Sequence, residues 1–270
     1  MEAARLYGSV MARPGMESGW VDSHCHLPDV PAEAAEVVER ARAAGVAWMV
    51  AVGTDLATSR TAVHCAEEHD NVYATVGLHP HDALKLDSEW PELRELATHP
   101  RVVAIGETGF DLFYEHSPRD EQATAFRAQI QLAHELDRAL VIHSRDAWDE
   151  TFAVLDALGV PSRTVFHCFT GGPAQATRAL SYGARISFSG IITFKNADDV
   201  RAAASVAPAT HTLIETDSPF LAPSPHRGTT NEPANVAVVG ESLASVTGRS
   251  REEVMATTSA AANAVFLTGS

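Results

Sequence analysis

From residue 20 onward, the chain repeats one pattern eight times: a short apolar run, a polar loop and an amphipathic, alanine-rich segment. The apolar runs have the length of strands and the segments after them have the length of helices, which predicts strands and helices in alternation. Alternating βα units form a parallel sheet, and eight of them are the number that closes a (β/α)8 barrel. The sequence therefore predicts the α/β class and a single TIM-type barrel.

The predicted strands are GWVDSHCH, VAWMVAV, VYATVGL, VVAIGET, ALVIH, TVFHCF, ARISFSG and HTLIETD. The predicted helices are Pro31 to Ala44, Leu56 to His69, Ser88 to Thr98, Pro118 to Asp137, Ala147 to Leu158, Pro173 to Tyr182 and Ala197 to Val206. A long loop from Pro219 to Pro233 precedes two further helices. An open doubly wound sheet is the competing fold, but it usually has a glycine-rich phosphate loop after its first strand, and DSHCHLPDV is not such a loop.

The chain of 270 residues shows no internal linker or low-complexity tract, which predicts a single hydrolase domain over residues 20–270. Residues 1–19 lack the apolar core of a secretory signal and are predicted to form a flexible leader. The three cysteines cannot all pair and form no CxxC motif, which favours the reducing cytoplasm. No apolar run has the length that spans a bilayer, so no membrane partner is expected.

The formal net charge of −15 limits the kinds of substrate that the protein can bind. Duplex DNA is bound mainly by lysine and arginine side chains that neutralise phosphates, so a broad basic face for duplex DNA is excluded. A substrate that contains phosphate would need a local cation instead. A bound metal ion would supply that charge.

Histidines and carboxylates gather where the predicted strands end. His24 and His26 end the first strand and face the same way, because successive strand residues point to opposite faces. In a barrel, the carboxyl ends of all strands meet at one mouth, where catalysis takes place. The groups predicted to meet there as metal ligands are His24, His26, Glu107, His143, His167 and Asp217.

Four imidazoles and two carboxylates around one mouth predict a metal site. Six ligands are too many for one tetrahedral ion and suit two divalent cations roughly 3.5–4 Å apart that share a carboxylate. Mg²⁺, Mn²⁺ and Zn²⁺ all remain open as the metal, because imidazoles favour zinc whereas carboxylates favour the harder ions.

The ordered motifs DSHCHL, GLHPH, GETGFD, IHSRDA, FHCFTGG, ETDSPFLAP and PHRGTTNEP resemble the TatD family of metal-dependent deoxyribonucleases, in the amidohydrolase superfamily. The resemblance runs from about Trp20 to the C-terminus. It implies a TIM-type barrel with two metal ions and hydrolysis of DNA, often 3′→5′ on single strands and commonly with magnesium. The implied ligands are His24, His26 and Asp217 for one ion, His143 and His167 for the other, and Glu107 as the bridge.

One departure from the family pattern concerns the last loop. The chain reads RGTTNEP where family members commonly read RGKRNEP, so Thr229 and Thr230 replace two cations. This difference bears on how tightly a nucleic-acid backbone is held there.

The sequence predicts a metal-dependent hydrolase, in the first place a deoxyribonuclease that acts on single-stranded DNA ends through a metal-bridging hydroxide. Asp217 and Glu107 are the predicted catalytic residues, with Asp217 accepting the proton of the attacking water. The predicted substrate-binding residues are His79, His81, Arg145 and Arg227. For the arginines, which suit bidentate phosphate contacts, a surface or supporting role is the alternative. The two histidines either contact substrate or support the mouth.

Residues beside the motifs receive simpler predictions. Glu215 is expected to be buried and hydrogen-bonded, and Cys25 and Cys168 are expected to face away from the ligands as packing residues. Phenylalanines 110, 169 and 220 either stack on bases or pack in the core.

Two other functions stay open at this point. The same hydroxide can attack a carbonyl, so hydrolysis of an ester or amide bond, such as aminoacyl-tRNA deacylation or cleavage of a small molecule, is the alternative. The third hypothesis is a binding protein that holds metal without catalysis. It would need a defective site, but every proposed ligand position carries a histidine or a carboxylate. No obligate protein partner is evident, and a monomer is expected.

Overall fold

The computed structural model describes residues 19–30 and 32–268, and within these ranges eight strands form one sheet. The strands are β1 (Trp20–Cys25), β2 (Val46–Ala51), β3 (Val72–Val76), β4 (Val102–Asp111), β5 (Ala139–Arg145), β6 (Thr164–Phe166), β7 (Arg185–Phe188) and β8 (Thr212–Ile214). Each strand pairs in parallel with the next one along the chain. β1 also contacts β8, and the N–H of Asp217 donates to the carbonyl of His24 at 3.0 Å. The predicted (β/α)8 barrel is confirmed.

Nine α-helices lie within the same described ranges and follow the strands in alternation. They are α1 (Ala34–Ala43), α2 (Leu56–Glu68), α3 (Leu86–Leu96), α4 (Arg119–Glu135), α5 (Trp148–Leu158), α6 (Pro173–Ser181), α7 (Asp198–Val206), α8 (Val236–Thr247) and α9 (Arg251–Phe266). The order matches the prediction, and the ends shift by a few residues. Pro118, for example, caps α4 rather than joining it, because its ψ of 146° is extended.

The predicted leader lies outside the described residues, apart from Gly19, so the domain boundary at residue 20 stays a prediction. The helix predicted from Pro31 begins at Ala34, and Pro31 itself is outside the described ranges. Among the helices that the structure describes, none combines the length and the apolar character needed to cross a membrane.

β4 is longer than the sequence predicted, and this difference shapes the site. The predicted strand ended with GET, but pairing with β5 continues to Asp111, which is opposite Arg145. Gly109 permits this pairing, since a Cβ on it would lie only 2.1 Å from the carbonyl oxygen of His143 and its φ is +131°. The continued strand brings Asp111 to the mouth beside the predicted ligands.

Two apolar clusters hold the barrel together. One unites buried side chains from β2, β5, β6 and β8, among them Val50, Val141, Val165 and Leu213, and therefore fills the barrel interior. The apolar face of α9 joins this cluster through Phe266 and closes the end opposite the site. The larger cluster packs the surrounding helices on the outside of the sheet. Burial on both faces leaves the carboxyl ends of the strands as the place for polar groups.

Candidate metal centre

The six predicted ligands lie in the carboxyl halves of strands or just after them, and five of the six are less than one-tenth exposed. They come from β1, β4, β5 and the segments directly after β1, β6 and β8: His24, Glu107, His143, His26, His167 and Asp217. Parallel strands bring residues that are far apart in the chain to one rim. The structure therefore places the predicted ligands together.

Glu107 lies at the centre of this group. Its Oε1 is 2.7 Å from Nε2 of His167 and 2.8 Å from Nδ1 of His143. Its Oε2 faces the other pair, at 3.3 Å from Nε2 of His24 and 3.6 Å from Nε2 of His26. The two oxygens of one carboxylate thus face two different pairs of imidazoles.

Asp217 closes the group on the side of β1. Its Oδ1 is 3.2 Å from Nε2 of His26 and 3.7 Å from Nε2 of His24. The ring of His24 also stacks on that of His167, with 3.9 Å between centroids. Both pairs of imidazoles therefore belong to one continuous cluster.

The donor set fits divalent cations. Three overlapping sets of groups in the described chain have ligand atoms within 4.8 Å of one another: His24, His26 and Glu107; His24, His167 and Asp217; and His79, Glu107 and His143. Oε2 of Glu107 is buried and has no hydrogen-bond partner among the described residues. An unpaired buried acceptor is costly, and a cation held between this oxygen and the nearby imidazoles would remove that cost.

Charge inside the cluster favours ionised carboxylates. Burial by itself raises the pKa of Glu107, but the charge of His167 and a hydrogen bond from His143 hold it well below its ordinary value. Burial opposes ionisation of Asp217 as well, and the hydrogen bond and charge of His26 lower its pKa nevertheless. Both side chains are therefore acceptor-only ligands at neutral pH.

Burial and neighbouring charges shift the pKa values of two histidines of the cluster in opposite directions. Burial lowers the pKa of His167, but the neighbouring charge of Glu107 outweighs this effect and raises it well above its ordinary value. Burial lowers the pKa of His79 to about 4, so this imidazole is neutral at pH 7. Its Nδ1 accepts the backbone N–H of His81 at 3.1 Å, which assigns the ring proton to Nε2.

Two buried acidic side chains accept hydrogen bonds from residues next to the proposed ligands. Glu215 is fully buried, as predicted, and its Oε1 accepts the backbone N–H of Cys168 at 2.6 Å and lies 3.3 Å from Nδ1 of His167. Asp22 accepts the N–H of Thr216 at 2.9 Å and its hydroxyl at 2.5 Å, and burial raises the pKa of Asp22 to about 8. These contacts tie the ends of β1, β6 and β8 to one another.

Asp111 is a supporting residue that sequence reasoning missed. It is 1% exposed, and its Oδ2 is 3.0 Å from Nε2 of His81 and 3.3 Å from Nε2 of His143. A carboxylate behind a metal-binding imidazole fixes the ring and its tautomer. The signal was present in the GETGFD motif, but it requires a strand that continues past Glu107.

The predicted substrate-binding residues separate into two kinds. His79 is inside the cluster, with its Nε2 3.4 Å from Oε1 of Glu107, and His81 contacts Asp111. The guanidinium of Arg145 lies 4.2 Å from the ring centroid of Phe113. That of Arg227 is exposed and lies 4.0 Å from the ring of Phe194. All four residues lie at or beside the mouth.

The cysteines and phenylalanines beside the motifs differ in how the structure places them. Cys25 faces away, and its Sγ donates to the carbonyl of Val50 at 3.2 Å, but Cys168 follows the end of β6 with a φ of +40°, so strand alternation does not apply to it. Of the three phenylalanines considered for stacking, residues 110 and 169 are buried in the core and only Phe220 is exposed, with its ring 5.8 Å from that of His26.

Comparison with known proteins agrees with this geometry. A family model described as TatD related DNase matches residues 21–267. The uncharacterized metal-dependent hydrolase YabD of Bacillus subtilis is 39% identical over 251 residues, which are 91% of this chain and 98% of YabD. The 3′-5′ ssDNA/RNA exonuclease TatD of Erwinia amylovora is 35% identical over 240 residues, 86% of this chain and 92% of the relative. The crystal structure of YJJV, a TatD homolog from Escherichia coli K12, matches with a TM-score of 0.84 at 27% identity, covering 93% of this chain and 98% of YJJV.

Proposed function

The chain belongs to the TatD related DNase family and is a metal-dependent hydrolase, and on this premise we propose that it shortens single-stranded DNA from the 3′ end. The observation that carries the proposal is the position of Glu107 between two pairs of imidazoles at the mouth of the barrel. The relative from Erwinia amylovora, named a 3′-5′ ssDNA/RNA exonuclease, supports the same substrate class.

Two divalent cations, Mg²⁺, Mn²⁺ or Zn²⁺, would be held by the cluster. His24, His26 and Asp217 would hold one, and His143 and His167 the other, with Glu107 shared between them because its two oxygens face different pairs. When bound, such cations supply a water that ionises near neutral pH and absorb the charge that develops on phosphate oxygens.

The chain's own groups would orient substrate and move the proton. Asp217 begins ionised, and since its Oδ1 faces His26, its Oδ2 is the atom proposed to accept the proton of the attacking water. Neutral His79 would donate from Nε2 to a phosphate oxygen, and His81, held by Asp111, would line the same edge. Arg145 and Arg227 would each hold a phosphate of the strand.

The setting of the enzyme is part of the proposal. All three cysteines are free in the structure, which supports a reducing, cytoplasmic location. We expect a monomer, because the whole set of proposed ligands comes from one chain.

The test uses purified protein that is stripped with a chelator and then supplied with Mg²⁺, Mn²⁺ or Zn²⁺. End-labelled single-stranded DNA, RNA of the same sequence and a panel of esters and amides are offered in parallel. We expect stepwise shortening of DNA from the 3′ end. The rate of shortening should fall by about a hundredfold or more in Glu107→Ala, since even outer-sphere changes at metal sites lower affinity or activity by about 10- to 100-fold. Glu241→Ala is the matched control, because this glutamate is exposed and pairs with Arg251. Turnover of an ester or amide with intact DNA would refute the proposal.

A further inference from the structure

Two adjacent aromatic side chains lie exposed at the mouth of the barrel. Phe113 and Tyr114 follow β4 directly and are 57% and 51% exposed. Aromatic rings bury a large apolar area when they join a core, so two exposed neighbours at the end of a barrel that carries a site indicate binding.

The two rings are held in place rather than loosely attached. Oδ1 of Asp111 accepts the backbone N–H of Phe113 at 3.0 Å and that of Tyr114 at 2.9 Å. The rings meet edge to face, with 4.8 Å between centroids, and the guanidinium of Arg145 lies over both of them, at 4.2 and 4.7 Å. We name Phe113, Tyr114 and Arg145 the rim platform. A fixed aromatic surface loses little conformational entropy when a ligand binds.

The rim platform is continuous with the candidate metal centre. The ring of Tyr114 lies 5.7 Å from that of His81, and His81 binds Asp111. The same carboxylate of Asp111 is 3.3 Å from Nε2 of His143. One buried side chain therefore positions both the platform and a proposed metal ligand.

The charge on the rim platform is available to an anion. In the described part of the chain Arg145 forms no ion pair with a carboxylate and has aromatic rings as its neighbours instead. On a protein of net charge −15, an arginine without an acidic partner beside the site is a local attraction for phosphate. The aromatic rings can contact the base of a nucleotide, and the arginine can contact its phosphate.

We propose that the rim platform is a nucleotide subsite in which one unpaired nucleobase packs against Phe113 and Tyr114 and Arg145 holds the neighbouring phosphate. Because the two rings are perpendicular, the base stacks on the face of one ring and meets the edge of the other. This proposal rests on the proposed function and specifies its substrate. A base inside a duplex is already stacked and paired, whereas an unpaired base of a single strand has a face free for an aromatic ring. Stacking depends on the face of the base and not on its edge, so the subsite tolerates every base.

The experiment measures steady-state hydrolysis and binding of single-stranded DNA by the metal-loaded enzyme. The double variant Phe113→Ala/Tyr114→Ala is compared with Tyr114→Phe, which keeps a ring, and with Val206→Ala, which removes an exposed apolar side chain from the opposite end of the barrel. Oligonucleotides carry 2-aminopurine, whose fluorescence is quenched by stacking, at successive positions from the 3′ end. Phosphorothioate versions measure binding without turnover, and a second series replaces one base by an abasic sugar.

We expect KM to rise about tenfold to a hundredfold in the double variant with kcat little changed, because base–aromatic stacking has that strength. One 2-aminopurine position is quenched by the wild type, by Tyr114→Phe and by Val206→Ala, and not by the double variant. An abasic sugar at that position raises KM for the wild type and has no effect on the double variant. An unchanged KM, or quenching that the double variant retains, overturns the subsite.

Failure of the subsite and failure of the proposed function give different results. Hydrolysis of single-stranded DNA by a wild type that quenches no 2-aminopurine position contradicts the rim platform alone. Quenching without hydrolysis supports the platform and contradicts the proposed function. If single-stranded DNA is neither bound nor hydrolysed, both are wrong.

Discussion

Replacing Asp111 by asparagine removes one of the two accepting sides of a carboxylate that is 1% exposed. Oδ1 accepts two backbone N–H groups, from Phe113 and Tyr114, and Oδ2 faces Nε2 of His81 and Nε2 of His143. An asparagine accepts on one side only. In either orientation its NH₂ group would replace an accepting oxygen and face either the two backbone N–H groups or the two imidazole Nε2 atoms.

The size of the effect follows from these contacts. A buried hydrogen-bonding group without its partner costs about 1–3 kcal/mol, and each kcal/mol lowers the Tm of a domain of this size by about 2–4 °C, which predicts a Tm lower by roughly 2–12 °C. With a cation bound, Nδ1 of His143 would no longer donate to Glu107. The tautomer that donates Nε2–H to Asp111 would then leave Nδ1 free as a ligand. Losing that support should weaken metal binding by about 10- to 100-fold.

Cobalt titration followed by visible absorption measures the affinity, and differential scanning calorimetry measures the Tm. The matched control is Asp120→Asn, an exposed acid in the first turn of α4, which should change neither quantity. If Asp111→Asn folds and binds cobalt with wild-type affinity, the role assigned to this carboxylate is wrong.

Two further predictions concern stability away from the ligands. Gly240→Ala should destabilise the barrel by about 1–3 kcal/mol, because the new Cβ would lie 2.3 Å from the ring of buried Trp20. Activity per folded molecule should stay the same. Chemical denaturation measures the stability, and a value equal to that of the wild type would contradict the prediction. Asp55 caps α2 and accepts a hydrogen bond from Lys85. Burial opposes its ionisation, but the backbone N–H of Thr58 and the ammonium group of Lys85 lower the pKa of Asp55 below 3.8. Its charge therefore stabilises the fold above pH 3.8, and this stabilisation is lost as the pH falls through the lowered pKa. Asp55→Asn, which keeps a good cap, should therefore be less stable than wild type by at most about 1 kcal/mol near pH 7, with the difference vanishing in acid; a pH-independent difference in Tm would show that the charge is not responsible.

The sequence could propose a ligand set because each proposed ligand lies at the end of an apolar run, or just after it, and the length of that run identifies a strand. His24, Glu107 and His143 end apolar runs that can be recognised without tertiary information, although β4 and β5 continue past Glu107 and His143. Once a parallel barrel is predicted, the convergence of those ends follows from the geometry of the fold.

What the sequence could not predict depends on backbone details beyond the strand ends. The continuation of β4 to Asp111 depends on pairing with β5 across Gly109, and a glycine in a motif usually indicates a turn. The rim platform was missed for the same reason, since Phe113 and Tyr114 are placed by Asp111. Which phenylalanines are buried likewise depends on contacts between distant segments.

The most direct test of the account is a crystal structure of the protein grown with Mn²⁺ and measured at the manganese absorption edge. We predict two anomalous peaks at the mouth of the barrel, with one oxygen of Glu107 on each ion or one oxygen shared between them. A single peak, or two peaks with Glu107 coordinating neither, would contradict the central claim that this carboxylate joins two metal ions.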